Sequence, residues 1–225
     1  MSDNTFRIYI ACLAAYNNGI HHGKWVDVGD DIDALQAEID DILRTSPCPN
    51  VTRIKAKCNC CESTWIQTTY DFTHNALACP ECSEKWNSDK EDNEIEIIEG
   101  FRSSEEYAIH DYEGVSGLSE HESLEDLVKI AELLEEHGDA FRAVFSYHSD
   151  VERCESLLTD GYLGEFEKVE DYAYDLTNDC GMLDGMPENL RCYFDYESFA
   201  RDMDLNGDIN AIEHEGMFYI FDGHL

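Results

Sequence analysis

The chain has 225 residues, and its 50 acidic residues outnumber its 15 lysines and arginines to give a formal net charge of −35. Such a charge opposes direct binding to nucleic acid or to an anionic membrane, and it favours a partner with a basic surface. Hydrophobic residues make up 43% of the chain, which is enough to build packed cores, so we expect folded domains and not global disorder.

Targeting and redox features point to a reducing compartment. No apolar run approaches the roughly 18 residues that a membrane-spanning helix needs, and the first residues lack the basic segment of a secretory signal peptide. Ten cysteines without such a signal favour metal binding or free thiols over disulfides. We therefore predict a cytoplasmic protein.

The charge is unevenly distributed along the chain. Residues 1–46 carry a net charge of −5, residues 47–90 are neutral, and residues 91–225 carry −30. The most acidic stretch, residues 150–204, has sixteen acidic residues against four basic ones, with apolar residues at helical spacing between them. This pattern predicts short amphipathic helices that bury one stripe and expose carboxylates on the other face.

The first 46 residues predict an α+β unit. Residues 6–11 alternate as a β-strand does, residues 25–28 form a second short strand, and residues 16–19 between them have turn chemistry. Asp30 or Asp31 can cap the helix that follows. The apolar face of that helix consists of Ile32, Leu35, Ile39, Ile42 and Leu43.

The neutral block contains a cysteine pattern typical of a four-cysteine zinc site. Cys58 and Cys61 form one Cys-x-x-Cys pair, Cys79 and Cys82 form another, and seventeen residues separate the two pairs. Tetrahedral zinc needs four such ligands. Residues 64–70 between the pairs favour a strand, so the block is predicted to be a zinc ribbon.

Four protein ligands leave no open coordination position, so the predicted zinc is structural and not catalytic. Some details of the site stay open at this point. Cys60 makes the register of the first pair uncertain, Cys48 or His74 could replace a ligand, and reduced thiols without metal are the alternative.

After the neutral block, residues 94–98 are predicted to form either a strand or a return linker from the block, and residues 106–112 are predicted to form another strand. Ser123, with Asp126 three residues later, has the spacing of a helix-capping motif, and Gly138 is predicted to end the helix. The same spacing at Ser149 predicts that its side chain caps the next helix.

In the last third of the chain, Pro187 suits the first turn of a helical region at residues 188–203. Residues 209–212 and 217–221 predict a closing β-hairpin. The whole pattern predicts an α+β fold, as an elongated chain of small α+β and helical domains with a zinc-ribbon insertion in the first domain. The predicted domains are residues 1–117, interrupted by the insertion at 47–90, then residues 118–160 and residues 161–225.

Residues 202–213 match the ligand pattern of an EF-hand calcium loop, from Asp202 and Asp204 through Gly207 to Glu213. An EF-hand needs a second helix after this loop, whereas β-rich residues follow here. Calcium binding is therefore kept as an alternative function, although we expect no tight site.

The sequence has no motif of a nucleophilic hydrolase, a phosphate-binding loop or a zinc protease. With fifty acidic residues, adjacent carboxylates occur by chance, so they do not indicate acid–base catalysis. We predict that the protein is not an enzyme and has no catalytic residues.

Five segments of the chain resemble the ArdA antirestriction proteins, in the order in which that family has them. They are IYIACLAAYNNG (8–19), GKWVDV (23–28), HDYEGVSGLSEHESLEDL (110–127), GYLGEFEKVEDYAYDL (161–176) and YFDYESFARDM (193–203). The resemblance covers most of the chain apart from residues 47–90, a block that members of the family generally lack.

This resemblance implies an elongated, acidic homodimer that mimics duplex DNA and occupies the DNA-binding groove of type I restriction-modification enzymes. Carboxylates would then pair with the lysines and arginines that otherwise contact phosphates, without base-specific contacts. The candidate target-binding acids are those expected on outer helical faces, namely Glu125, Glu132, Glu135, Glu165, Glu167, Glu170, Asp171, Asp175 and Asp195. The aromatic residues near them are expected in the core or a dimer interface, namely Tyr162, Phe166, Tyr172, Tyr193 and Phe194.

The neutral block also supports an alternative function that does not require mimicry. In that alternative, the protein is a zinc-ribbon interaction protein that binds a basic or transcriptional partner.

Overall fold

The computed structural model describes residues 5–69, 77–86 and 94–225. Its elements in chain order are β1 (Arg7–Cys12), α1 (Leu13–Asn17), β2 (Gly23–Asp27), α2 (Ile32–Arg44), β3 (Val51–Cys58), β4 (Thr64–Thr69), β5 (Ile95–Ser103), β6 (Tyr107–Glu113), α3 (Leu124–His137), α4 (Asp139–His148), α5 (Val151–Asp160), β7 (Tyr162–Phe166), α6 (Val169–Asp179), α7 (Glu188–Arg191), α8 (Tyr196–Asn206), β8 (Ile209–His214) and β9 (Met217–Asp222). The strands form three small sheets of three strands each. The predicted α+β class is confirmed.

The chain divides into two compact units. The N-terminal unit comprises Ile8–Val26 and Asp31–Asp111, and it includes the cysteine block. The C-terminal unit is built mainly from Tyr112–Leu225, joined by Asp27–Asp30 and the segment that ends at Arg7. The three-domain division expected from the sequence stays a prediction. Among the described residues, no helix is long and apolar enough to cross a membrane.

The first sheet has the order β2-β1-β6. The N–H of Cys12 donates to the carbonyl of His22 and the N–H of Val28 donates to that of Phe6, both over 2.9 Å, so β1 and β2 run antiparallel. Both predicted strands are present. The short helix α1, which the sequence did not indicate, ends at Asn17 and so includes the first two residues of the predicted turn at 16–19.

Helix α2 begins as the sequence predicts. The Asp31 side chain accepts hydrogen bonds of 3.0 Å from the N–H groups of Asp33 and Ala34, which satisfies two of the unpaired donors at the helix start. Four of the five predicted apolar positions are buried, whereas Ile32 in the first turn is only half-buried.

The second sheet, with the order β4-β3-β5, forms the ribbon. Strand β3 pairs antiparallel with both neighbours, and its pairing with β5 extends from Val51 opposite Ser103 to Cys58 opposite Ile95. Because the pairing with β3 resumes after a bulge and extends to Ser103, β5 continues beyond the predicted segment at residues 94–98. The ribbon core consists of Ile54, Ala56, Leu77 and Ile95, with Trp65 and Trp86 packed against it.

The predicted capping residue of α3 is confirmed, whereas that of α5 is wrong. The Ser123 hydroxyl accepts from the N–H of Asp126 over 3.0 Å, and Gly138 follows the last residue of α3. At α5 the cap is Asp150, whose carboxylate accepts from the N–H of Arg153 over 2.7 Å. Ser149 instead ends α4 in a left-handed conformation with φ of 54°, a backbone geometry that an N-cap does not have.

The third sheet has the order β7-β9-β8, and α6 and α8 pack together beside it. The predicted closing hairpin is confirmed, and Glu215 and Gly216 both have positive φ, as a tight hairpin turn requires. The helical region predicted at residues 188–203 contains two helices. It is split into α7 and α8, because Asp195 starts a new helix with its own side-chain cap.

Candidate metal centre and target-binding surface

The two Cys-x-x-Cys turns of the ribbon have matching backbone geometry. The N–H of Cys58 donates to the carbonyl of Ser63 over 2.9 Å, and the N–H of Cys79 donates to that of Glu84 over 2.8 Å. In both cases the carbonyl belongs to the fifth residue after the first cysteine. We call these turns the first knuckle (58–63) and the second knuckle (79–84).

The residue after the last cysteine of each knuckle has the same left-handed backbone, with φ of 61° at Glu62 and 60° at Ser83. This equivalence aligns Cys58 with Cys79 and Cys61 with Cys82. It therefore gives Cys60 no matching partner in the second knuckle, which resolves the register that the sequence left open.

The four aligned sulfurs converge on one point. All of them lie within 4.8 Å of one another, with Cys58 Sγ 3.5 Å from Cys82 Sγ and Cys61 Sγ 3.4 Å from Cys79 Sγ. A tetrahedral zinc site with bonds of about 2.3 Å has sulfur–sulfur edges of about 3.8 Å. The donor set and its spacing therefore fit a metal ion held by four thiolates.

The electrostatics of the site also favour a cation. Burial of the Cys79 sulfur opposes ionisation, but hydrogen bonds from the N–H of Cys82, the Ser63 hydroxyl and the N–H of Glu81 outweigh it and lower the pKa of Cys79 to about 6. At Cys82, the N–H of Glu84 favours the thiolate, but the neighbouring sulfurs raise its pKa to about 12. Four sulfurs at these distances can all be thiolates only around a positive charge.

The possible substitute ligands take no part in this group. Cys60 is exposed and Cys48 is half-buried, and neither is a member of the converging set found among the described residues. His74 lies outside the described residues.

The EF-hand pattern does not form a loop. Asp202 and Asp204 lie on α8, which continues to Asn206, and Gly207 ends it with φ of 78°. The Asp204 carboxylate accepts a hydrogen bond of 3.2 Å from the N–H of Ala211, and Glu213 lies on β8. Within the described ranges, the four cysteines are the one group that converges closely enough to hold a metal.

All nine candidate target-binding acids lie in the C-terminal unit. Glu125, Glu132 and Glu135 are on α3, Glu165 is on β7, Glu167 follows β7, Glu170, Asp171 and Asp175 are on α6, and Asp195 precedes α8. Eight of them are exposed, whereas Glu170 is half-buried.

Three of the nine have partners within the chain. Lys129 lies 3.5 Å from Glu132 and 2.8 Å from Glu155, and Lys168 lies 2.8 Å from Glu170. Asp195 caps α8, and the hydrogen bonds from the N–H and hydroxyl of Ser198 lower its pKa. The other six form no ion pair with any described base, and we call them the open carboxylates, namely Glu125, Glu135, Glu165, Glu167, Asp171 and Asp175.

The aromatic residues near these acids have mixed environments. Phe166 and Tyr172 pack against the buried cluster of Met203, Ile209 and Ile220, in agreement with a core position. Tyr193 is 80% exposed, so it does not belong to the core of the chain.

Sequence reasoning missed two features of these sites. The Ser63 hydroxyl contacts sulfurs of both knuckles, and no spacing rule marks a serine for that position. Asp30 lines a concavity of about 370 Å³ together with Glu132 and Glu135, although about a hundred residues separate them in the sequence.

The chain matches a known protein family. The model of one family, described as antirestriction protein (ArdA), matches residues 8–218 of the chain. A search of the curated proteins found no match. Because the family model matches from residue 8 to residue 218, which is nearly the entire sequence, the chain belongs to the ArdA family of antirestriction proteins.

Proposed function

We propose that this antirestriction protein is a DNA mimic that competes with duplex DNA for the DNA-binding groove of a type I restriction-modification enzyme. The observation that carries the proposal is the group of six open carboxylates on the C-terminal unit. Residues 112–225 contain 29 acidic and six basic residues, so few of these charges can be neutralised within the chain. Lysines and arginines that normally bind phosphates are the complementary partners.

Charge density decides how much surface the mimic needs. Helix α3 has 14 residues, which rise about 21 Å, and it carries five carboxylates and one lysine. A duplex of the same length carries about 12 phosphates, at one charge per roughly 1.7 Å. One helix therefore supplies less than half of the charge, and the proposed surface must combine α3 with β7 and α6.

The test is competition against labelled duplex DNA for a purified type I enzyme, over a series of salt concentrations. A grouped variant carries Glu165→Gln, Glu167→Gln, Asp171→Asn and Asp175→Asn. Each exposed ion pair contributes about 0.2–1 kcal/mol, so we expect single changes to weaken inhibition slightly and the grouped variant to abolish it. Inhibition by the unaltered protein should fall as salt rises, because exposed pairs are screened.

A matched control makes the same change in charge on the N-terminal unit, with Asp33→Asn, Asp41→Asn, Glu96→Gln and Glu106→Gln. These four residues are exposed and form no ion pair with any described base. The control should keep most of the inhibition. Loss of inhibition from one carboxylate alone, or inhibition that does not respond to salt, would indicate a discrete site and contradict mimicry.

Removing the ribbon separates mimicry from the zinc-ribbon alternative. Asn50 N–H donates to the Ser103 carbonyl over 3.0 Å, so the ends of the ribbon lie side by side and residues 51–102 can be excised. Mimicry predicts that the excised protein still captures restriction subunits from a host lysate. If capture requires the ribbon, the ribbon and not the acidic surface is the recognition element.

We further propose that the four-cysteine centre holds one structural zinc ion per chain, because four thiolates fill a tetrahedral coordination shell. Metal analysis of the purified protein tests the identity and the stoichiometry. The resemblance also implies a homodimer, which sedimentation equilibrium tests, and a cytoplasmic location, where the target enzyme acts.

A further inference from the structure

One hydroxyl group connects the two knuckles of the metal centre. Ser63 Oγ lies 3.2 Å from Cys61 Sγ in its own knuckle and 3.1 Å from Cys79 Sγ in the other. The backbone fixes its position, because the Ser63 carbonyl accepts the N–H of Cys58 and the next residue begins β4. Ser63 therefore touches one ligand from each Cys-x-x-Cys pair.

Bound metal determines the direction of these hydrogen bonds. A thiolate has no proton to donate, so around a metal ion the hydroxyl of Ser63 must be the donor and the sulfurs the acceptors. Donation to a thiolate stabilises its charged form, which is the form that binds metal. A zinc ion with four thiolates has a net charge of −2, so a donor at the sulfurs offsets part of that excess.

The second knuckle has no hydroxyl donor at the position equivalent to Ser63. Glu84 occupies the position of Ser63 in the second knuckle, and its ionised carboxylate cannot donate. Glu62 and Glu81 add further negative charge within the knuckles. The hydroxyl of Ser63 is therefore the group that can donate to sulfurs of both cysteine pairs, whereas Glu84 cannot donate.

We propose that Ser63 is a positioning residue of the metal centre, whose single O–H proton is shared between the Cys79 and Cys61 thiolates in a bifurcated hydrogen bond. This shared bond holds the two knuckles in their metal-binding arrangement. This inference rests on the proposed zinc site. Partners of metal ligands typically contribute 10–100-fold to metal affinity. We therefore expect loss of the hydroxyl to weaken zinc binding about tenfold.

The experiment uses the full-length protein and three variants, Ser63→Ala, Ser63→Thr and Ser83→Ala. Ser63→Ala removes the hydroxyl but keeps the backbone carbonyl that closes the first knuckle. Ser63→Thr keeps a hydroxyl. Ser83 is the matched control, because it is an exposed serine next to Cys82 with no sulfur contact in the described part of the chain.

Zinc affinity is measured by competition with a chromogenic chelator, and the thiolate-to-metal absorption is measured after exchange with cobalt(II). Ser63→Ala should bind zinc about tenfold more weakly and shift the cobalt absorption, while Ser63→Thr and Ser83→Ala remain close to the unaltered protein. Equal behaviour of Ser63→Ala and Ser83→Ala, or a Ser63→Thr variant as weak as Ser63→Ala, would overturn the role of Ser63. Absence of metal binding by the unaltered protein would instead overturn the zinc centre itself.

Discussion

At the scale of single residues, Asp195 shows how a surface carboxylate can serve the fold. Its two oxygens accept from the N–H of Ser198 over 3.0 Å and from the Ser198 hydroxyl over 2.8 Å. The sequence suggested a target-binding acid, because Asp195 was expected on an outer helical face. The hydrogen bonds hold it at the start of α8 instead, so we expect its contribution to target binding to be smaller than that of the open carboxylates.

Two substitutions at Asp195 distinguish its role as the cap of α8 from the role of its negative charge. Asp195→Ala should lower the free energy of unfolding near neutral pH. Asp195→Asn should lower it less, because asparagine keeps the cap and loses only the charge. Denaturant unfolding measures both values. If Asp195→Asn weakens inhibition as much as a change at one open carboxylate does, the Asp195 charge contacts the target after all.

Because the pKa of Asp195 is lowered, the stability that its hydrogen bonds to Ser198 contribute depends on pH. A carboxyl whose folded-state pKa is lowered stabilises the fold above its ordinary pKa of 3.8, and that stabilisation is lost as the pH falls through the lowered value. The advantage of aspartate over asparagine should therefore diminish in acid. Unfolding of the two proteins near neutral pH and below pH 3.8 checks the sign of the effect.

At the scale of elements, the ribbon has a small core, and ion pairs connect it to α2. Arg53 lies 2.7 Å from Asp40, and Arg44 lies 2.5 Å from Glu99. In the described part of the ribbon, the buried cluster comprises four residues with two tryptophans beside it. Such a core stabilises little by itself, so the metal centre must contribute to folding of the ribbon.

The double variant Cys79→Ser with Cys82→Ser tests this dependence. It should release the metal and expose Trp65 and Trp86, which are two of the three tryptophans in the chain. Tryptophan fluorescence should shift to longer wavelength, while the unfolding transition of the C-terminal unit should remain, because that unit has its own core.

Cys180→Ser with Cys192→Ser is the matched control, because both of these cysteines are exposed and lie in the C-terminal unit. This control should keep one metal ion per chain. Retention of stoichiometric metal by the Cys79→Ser, Cys82→Ser protein would show that the assigned ligands are wrong.

At the scale of the whole molecule, a net charge of −35 destabilises the folded chain through self-repulsion. The grouped variant at residues 165, 167, 171 and 175 should therefore unfold at a higher temperature than the unaltered protein in low salt. The difference should shrink in high salt, because the screening length falls from about 30 Å at 0.01 M to about 3 Å at 1 M. Thermal unfolding at both ionic strengths provides the measurement, and a destabilised grouped variant would indicate that these acids have local structural partners.

Local patterns in the sequence predicted a large part of the molecule. The α+β class, the caps at Asp31 and Ser123, the closing hairpin and the two cysteine pairs were all predicted correctly, because each depends on residues that are close in the chain. The start of a new helix at Asp195 and the capping of α5 by Asp150 were not predicted, because a cap depends on backbone geometry as well as on residue type.

The family, the excess of negative charge and the number of possible metal ligands all follow from the amino-acid sequence. Which of those charged groups and ligands act together follows from the three-dimensional packing. Contact between Lys129 and Glu155 joins α3 to α5, and the Ser63 hydroxyl meets Cys79 across two knuckles that lie sixteen residues apart in sequence. Side-chain pairing across elements depends on how the backbone packs in three dimensions, and a one-dimensional pattern of residue types does not specify that packing.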